Sequence, residues 1–455
     1  MRYRCQNCGY QSLKWLGRCP TCGQWESFLE HQETPQTFIS AAKPQALAEI
    51  ELDAGGRWPT GIGEFDRILG GGVIAGSLIL IGGEPGVGKS TIMLEVAGRL
   101  ARSVKNPVIY VSGEEAPAQI KLRAERLGLG SEKNLLILSE QNLLAIAQAV
   151  TDAKASAVVI DSIQVVFPPF SKEGIGTTQQ VGEATFELSK LAKSQKIPIF
   201  LIGHITKGGE LAGPKAIEHM VDVVLYLEGG RESDIRILRS VKNRYGSTDE
   251  IGVFQMKKRG LVEITNPSEF FTARGAIAKP GSVIVPSLEG TRPILIEIQA
   301  LVSSARYSSG YPQRRATGLD YNRIALLLAV IEKRLGLHIG GEDVYLNVAG
   351  GLTIRETATD LGVTAAVVSS FKNRAIARDT VVVGEVSLSG EVRRVRKLKE
   401  RLSEAAKLGY KRAVVPAGEA AGPAVGATYA PQAQKSSLEV AAVAGIEQAM
   451  EALGL

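Results

Sequence analysis

From Thr60 to about Asn266, short apolar runs alternate with stretches of helical periodicity. Residues 78–81, 108–112, 157–161, 197–202 and 223–227 are apolar over most of their length, and 235–240 over half. That pattern predicts strands buried on both faces rather than half-exposed ones. Residues 116–127 and 182–195 read as helices between them. Short buried strands separated by helices predict a parallel sheet covered on both sides. Past Asn266 the texture changes to a second α/β unit. It carries a predicted helix at 322–335, a strand at 344–348, a helix at 358–371 and a hairpin at 381–392. Residues 417–437, rich in Ala, Gly and Pro, read as a surface loop.

A chain of 455 residues is too long for one ordinary core and implies two or three domains. Apolar residues make up 44% and charged residues 22%, an ordinary globular composition. Fifty-three basic residues against 47 acidic ones leave a net charge of +6. That excess permits a nucleic-acid partner without requiring one. No apolar run approaches the roughly 18 residues of a membrane span, and Met1-Arg2-Tyr3-Arg4-Cys5 lacks a signal-peptide core. The expectation is a cytoplasmic protein with no membrane contact.

The run 78–81 leads into Gly83-Glu84-Pro85-Gly86-Val87-Gly88-Lys89-Ser90-Thr91, and a helical stretch follows. Strand, glycine loop, lysine and helix in that order form a nucleoside-triphosphate loop. Glycines let backbone N–H groups turn inward on the phosphates, Lys89 reaches the β/γ-phosphates, and the Ser90 hydroxyl ligates Mg²⁺. The expected cofactors are therefore ATP and Mg²⁺. A second acid belongs at the end of a neighbouring apolar strand to hold the Mg²⁺ shell, and Asp161 fits. Hydrolysis also needs a group to orient the attacking water. Glu114 is the first choice and Glu115 the reserve, with a plain acidic helix cap as the alternative. His204, at another strand end, is either a γ-phosphate sensor or a structural histidine. The polar, glycine-flanked segment 206–209 after it reads as a moving part.

All four cysteines fall within the first 22 residues, as Cys5-Gln6-Asn7-Cys8 and Cys19-Pro20-Thr21-Cys22. Two such pairs set four thiolates at tetrahedral corners, and Zn²⁺ is the expected metal. Disulfides and a rubredoxin-like iron site are the competing readings. A module this small depends on its metal to fold. The expected organisation is a zinc finger at 1–30, a linker at 31–58, an ATPase domain at 59–270 and a further α/β domain at 271–455.

With these motifs in hand, the chain resembles the bacterial RadA (Sms) family of DNA-repair and recombination proteins over nearly its whole length. The resemblance rests on the four-cysteine finger, the phosphate loop and the strand end Tyr110-Val111-Ser112-Gly113-Glu114-Glu115. Most specific is Lys242-Asn243-Arg244-Tyr245-Gly246, similar to that family's KNRFG signature with Tyr245 for Phe. It implies a RecA-like core in the style of DnaB-type helicases, assembled as a homo-hexameric ring. It also implies a motor on single-stranded and branched DNA that promotes branch migration beside a RecA-type recombinase. In such a ring Lys242 and Arg244 could reach the nucleotide of the adjacent subunit or contact DNA phosphates. A solvated basic hairpin is the plain alternative.

The C-terminal part resembles the proteolytic domain of the Lon family, clearest from Val381 to Val392 and on to Val414-Val415-Pro416. That family's serine–lysine pair aligns with Ala358 and Arg401. Alanine is no nucleophile, and arginine stays protonated; Thr357 stands next to the serine position. The expected fold class is thus α/β: a RecA-like P-loop core, a four-cysteine zinc finger, and a Lon-protease-like domain without its chemistry. Nine basic residues (Arg393, Arg394, Arg396, Lys397, Lys399, Arg401, Lys407, Lys411, Arg412) crowd one stretch of it. Arg306, Arg314, Arg315 and Arg323 form a second cluster with Tyr307, Tyr311 and Tyr321. Both read as candidate DNA surfaces. The functions left open are a DNA-dependent ATPase/helicase, an ATP-switched DNA-binding scaffold and an ATP-dependent protease.

Overall fold

The computed structural model describes residues 2–7, 11–12, 14–31, 46, 56–169, 174, 176–204, 216–229, 233–272, 277–305, 311–418, 427–429 and 438–455. Cys8, the segment 206–209, Arg306, Tyr307 and most of the linker and of the 417–437 loop lie outside these residues. By its contacts the chain divides into Met1–Ala54 and Gly55–Leu455.

In the first unit, strand Arg2–Cys5 pairs antiparallel with Gln11–Ser12 on one side and Phe28–His31 on the other. Its small core is Cys5, Cys19 and Phe28, with Tyr3, Leu16 and Cys22 packed against it.

The larger unit is built on two sheets. The first has nine strands, in the order 260–263, 251–257, 235–243, 223–228, 78–83, 199–202, 157–161, 108–112 and 135–139. Strands 223–228 through 135–139 run parallel, and the other three are antiparallel additions. Alternation along the central strands explains the two layers. Ile79 and Ile81 face a core shared with helix Lys89–Ser103, while Leu78 and Leu80 face one shared with helix Thr178–Gln195. The predicted parallel sheet is present, with differences in detail. Strand Ile199–Ile202 starts later than expected, helix Thr178–Gln195 starts earlier, and strand Leu135–Ser139 is an addition to those expected. The last is a run of four apolar residues that lies at the sheet edge and is only partly buried.

The second sheet has eight strands, in the order 314–317, 342–348, 292–304, 282–289, 380–382, 412–416, 438–443 and 427–429. Helices Tyr321–Leu335, Asp360–Phe371 and Ile446–Leu453 share one core, and helix Leu398–Lys407 shares the other. The expected hairpin at 381–392 is replaced by a split. Thr380–Val382 joins the main sheet parallel to its neighbours, and only Glu385–Val386 and Val392–Arg393 pair antiparallel.

The two sheets are tied together across the expected boundary near 270. Ile235, Ile251 and Val253 pack with Ile294, Ile296 and Val348 in one cluster. Buried Glu64 accepts from Arg292 at 2.9 Å and from Arg67 at 3.1 Å, and Arg239 meets Glu289 at 3.1 Å.

Candidate active site

Three parallel strands end beside the P-loop strand at one edge of the first sheet. In register, Ile81 lies beside Ile202, Ile202 beside Asp161, and Asp161 beside Ser112. The residues just past these ends are the phosphate loop, His204 and Glu114, so the fold gathers the predicted candidates at one edge. Gly83 has φ +156 in a position where a side chain would strike the Leu227 carbonyl oxygen at 2.5 Å. Gly88, at φ 113, caps helix Lys89–Ser103. The helix therefore starts with its N–H groups directed at the loop, the polarity that binds phosphate.

Lys89 is 4% exposed. Its ammonium donates to the carbonyls of Gly83 and Glu84 at 2.8 and 2.9 Å. Burial lowers its pKa, while the charges of Asp161 and Glu114 oppose the shift. Asp161 accepts the Tyr110 hydroxyl at 2.5 Å. Burial, then the Asp161 charge and hydrogen bond, raise the Tyr110 pKa well above its ordinary value, which keeps it a donor. The Ser162 hydroxyl donates to Glu114 at 2.8 Å, whereas Glu115 is engaged by Arg123 at 2.6 Å. The geometry thus sets Glu114 apart from Glu115.

His204 carries a buried Nδ1 with no hydrogen-bond partner among the described residues. Burial lowers its pKa first and the Lys89 charge second, against Glu114 and Asp161. A buried polar atom without a partner, in a residue that feels the charges of Lys89, Glu114 and Asp161, fits a polar ligand such as phosphate. Lys89, Ser90, Asp161 and His204 together suit a Mg²⁺-bound triphosphate in their chemistry.

Tyr110, Ser162 and Arg236 were missed in the sequence. Arg236 is buried and donates Nε to the Val87 carbonyl of the phosphate loop at 3.0 Å, and Nη1 to Ser233 and Ile235 at 2.5 and 2.8 Å. Its signal was present: it shares strand parity with Leu238, which faces the core.

Lys242 and Arg244 lie at the other end of the sheet. Strand Ile235–Asn243 runs antiparallel to Val223–Glu228, setting Asn243 level with Val223 and hence with Ile79. Arg244 donates to Asp222 at 3.2 Å and is 53% exposed. Asp222 also accepts from the Leu78 amide at 3.0 Å. Lys242 donates to the carbonyls of Glu218 and His219 at 2.8 and 3.1 Å, which end a short helix. From Ile79 to Gly83 is about 13 Å of strand. Neither cation reaches the phosphate loop of its own chain.

In the N-terminal unit the thiols of Cys5, Cys19 and Cys22 lie within 4.8 Å of one another, and those of Cys5 and Cys22 are 3.6 Å apart. Tetrahedral zinc with about 2.3 Å bonds sets sulfurs about 3.8 Å apart. The donor set fits zinc.

In the C-terminal domain Arg401 is 1% exposed and paired two-to-two with Glu356 at 2.8 and 2.6 Å. It also donates to the Pro286 carbonyl. Ala358 is buried in the core that Leu398 and Leu402 share. Thr357 donates to Glu385 at 2.6 Å. Arg401 therefore leaves the basic surface read from the sequence, as does Arg323, which is paired with buried Asp360. Arg393, Arg394, Arg396, Lys399, Lys407 and Lys411 are exposed.

Residues 58–146 match the family model of the KaiC ATPase, residues 3–30 the rubredoxin metal binding domain, and residues 324–419 subunit ChlI of Mg-chelatase. The chain is 46% identical to the DNA repair protein RadA of Bacillus subtilis, covering 99% of this chain and 97% of that one. It is 44% identical to the protein of the same name from Halalkalibacterium halodurans, covering 99% and 98%. The RadA of Listeria monocytogenes is 46% identical, with 91% and 92% covered. The parts are thus a rubredoxin-like zinc ribbon, a RecA-like ATPase core and a ChlI/Lon-like domain, and the cofactors are ATP, Mg²⁺ and Zn²⁺. No helix among the described residues is long and apolar enough to cross a membrane.

Proposed function

Because this chain belongs to the RadA family of DNA repair proteins, we propose that it is a DNA-dependent ATPase and helicase. In this reading it works as a homo-hexameric ring on single-stranded and branched DNA, extending recombination intermediates by branch migration beside a RecA-type recombinase. The observation that carries the reading is the separation of Lys89 from Arg244. An exposed arginine fixed at the far end of the sheet is useless to its own nucleotide and available to a neighbour's.

Within one subunit, the amides of residues 83–91 and Lys89 bind the triphosphate, and Ser90 and Asp161 hold Mg²⁺. Bound Mg²⁺ neutralises charge on the β- and γ-phosphates. Glu114, oriented by Ser162, takes the proton of the attacking water. Tyr110 fixes the Asp161 carboxylate, and His204 reads the γ-phosphate next to segment 206–209. Arg244 of the next subunit completes the charge compensation, while Lys242 braces the turn that presents it. The exposed arginines 393, 394 and 396 offer phosphate contacts to DNA, and the paired Arg401 leaves the C-terminal domain without protease chemistry.

The test is strand separation on forked DNA with and without ATP, together with imaging for rings. ATP-dependent unwinding by ring-shaped particles is expected. ATP turnover without strand movement would favour an ATP-switched DNA-binding scaffold.

A further inference from the structure

Two of the three tryptophans of this chain lie on the surface of the zinc ribbon: Trp15 is 53% exposed and Trp25 is 69% exposed. Rings of this size are ordinarily taken into a core, because each buries a large apolar area. Here the small core is made by the cysteines, Phe28 and their neighbours, and neither tryptophan belongs to it. The metal supplies the folding energy of such a module, so both rings are left outside.

They are held in place. Arg18 and Trp25 form an antiparallel bridge, and the Glu26 amide donates to the Gly17 carbonyl at 2.8 Å. The Trp15 ring lies against Gly17, where an added side-chain carbon would touch it at 3.6 Å. The Arg18 guanidinium stands 5.6 Å from the centre of the Trp25 ring, and its Nε donates to the Gly23 carbonyl at 3.0 Å. Arg18 directly precedes Cys19 and Trp25 follows Cys22 by three residues, so the metal knuckle sets the spacing of ring and cation.

We propose that Trp15, Arg18 and Trp25 form a stacking platform for the bases of single-stranded nucleic acid. Exposed aromatic faces beside a cation are the combination by which proteins hold unpaired bases without reading sequence. Charge selects this occupant over a protein segment. Within residues 1–30, Arg2, Arg4, Lys14 and Arg18 stand against Glu26 and Glu30. Trp15 follows Lys14 and rests on Gly17, and Trp25 follows Gln24 and stands beside Arg18. The inference rests on the DNA-binding reading above and adds a contact outside the motor core.

The probe is fluorescein-labelled oligo-dT, with a duplex of equal length as control, on the full chain at fixed salt. Trp15→Ala with Trp25→Ala should weaken oligo-dT binding by tenfold or more, as loss of base stacking does. Zinc content, DNA-independent ATP turnover and duplex affinity should be unchanged. Trp15→Phe with Trp25→Phe should recover most of the loss. In a Trp58→Phe background, tryptophan emission comes from Trp15 and Trp25 alone and should be quenched by oligo-dT. Unchanged affinity in the alanine pair with zinc retained, or no quenching, overturns the platform while leaving DNA binding intact. Loss of recombinase binding with unchanged oligo-dT affinity reassigns the surface to a protein partner. Failure of the unsubstituted chain to bind oligo-dT overturns the platform and the DNA-binding reading together.

Discussion

Lys89 and Arg244 stand at opposite ends of one sheet, the first inside the phosphate loop and the second tethered to Asp222 at 3.2 Å. The antiparallel return of strand Ile235–Asn243 creates this arrangement. The same strand holds Arg236 against the loop at its other end. One strand thus carries Arg236 to the loop at one end and leads into Arg244 at the other.

Glu114→Gln should lower ATP turnover about 10²- to 10⁴-fold, the usual consequence of losing a general base, with nucleotide binding kept. Glu115→Gln breaks a partly exposed pair with Arg123 and should cost far less. Steady-state hydrolysis by both variants decides it; a reversed order makes Glu115 the base.

Arg236→Ala leaves the Val87 carbonyl without its donor, and an unpaired buried group costs about 1–3 kcal/mol. The expected result is a KM for ATP raised about tenfold with a smaller change in kcat. Arg236→Lys should recover part of it. An unchanged KM in Arg236→Ala would remove any role in shaping the loop.

One zinc per chain is expected, and Cys8→Ser should lose it. Cys8 lies outside the described residues, yet the thiols of Cys5, Cys19 and Cys22 leave one tetrahedral corner for a fourth ligand. Elemental analysis tests this; less than about half an equivalent in chelator-free protein contradicts it.

Arg401→Ala should destabilise the C-terminal domain by about 1–3 kcal/mol, because it leaves half-buried Glu356 and the Pro286 carbonyl without their donor. Replacing both partners, as Arg401→Met with Glu356→Leu, should recover most of the loss. Urea midpoints measure both effects. The unsubstituted protein with ATP should leave casein intact.

Much of the site was legible because its parts are local. A strand, a glycine loop and a helix sit in one stretch of sequence, and Asp161, Glu114 and His204 each mark a strand end. Long-range partners were not legible. Tyr110 lies 51 residues from Asp161 and Ser162 lies 48 from Glu114, so only strand pairing brings each hydroxyl to its carboxylate. The basic stretch 393–412 misled in part. A run of arginines looks like a surface until one of them, Arg401, is itself buried by pairing with a carboxylate 45 residues away. The hairpin at 381–392 failed for a similar reason, because Thr380–Val382 pairs with strands distant in sequence.

The most direct measurement mixes Lys89→Ala subunits with Arg244→Ala subunits over a range of ratios and follows ATP turnover. Each variant alone should be nearly inactive. Mixed assemblies should regain activity, because an intact loop then faces an intact Arg244 at some interfaces. No recovery at any ratio, with co-assembly demonstrated, would contradict an Arg244 that serves the neighbouring subunit.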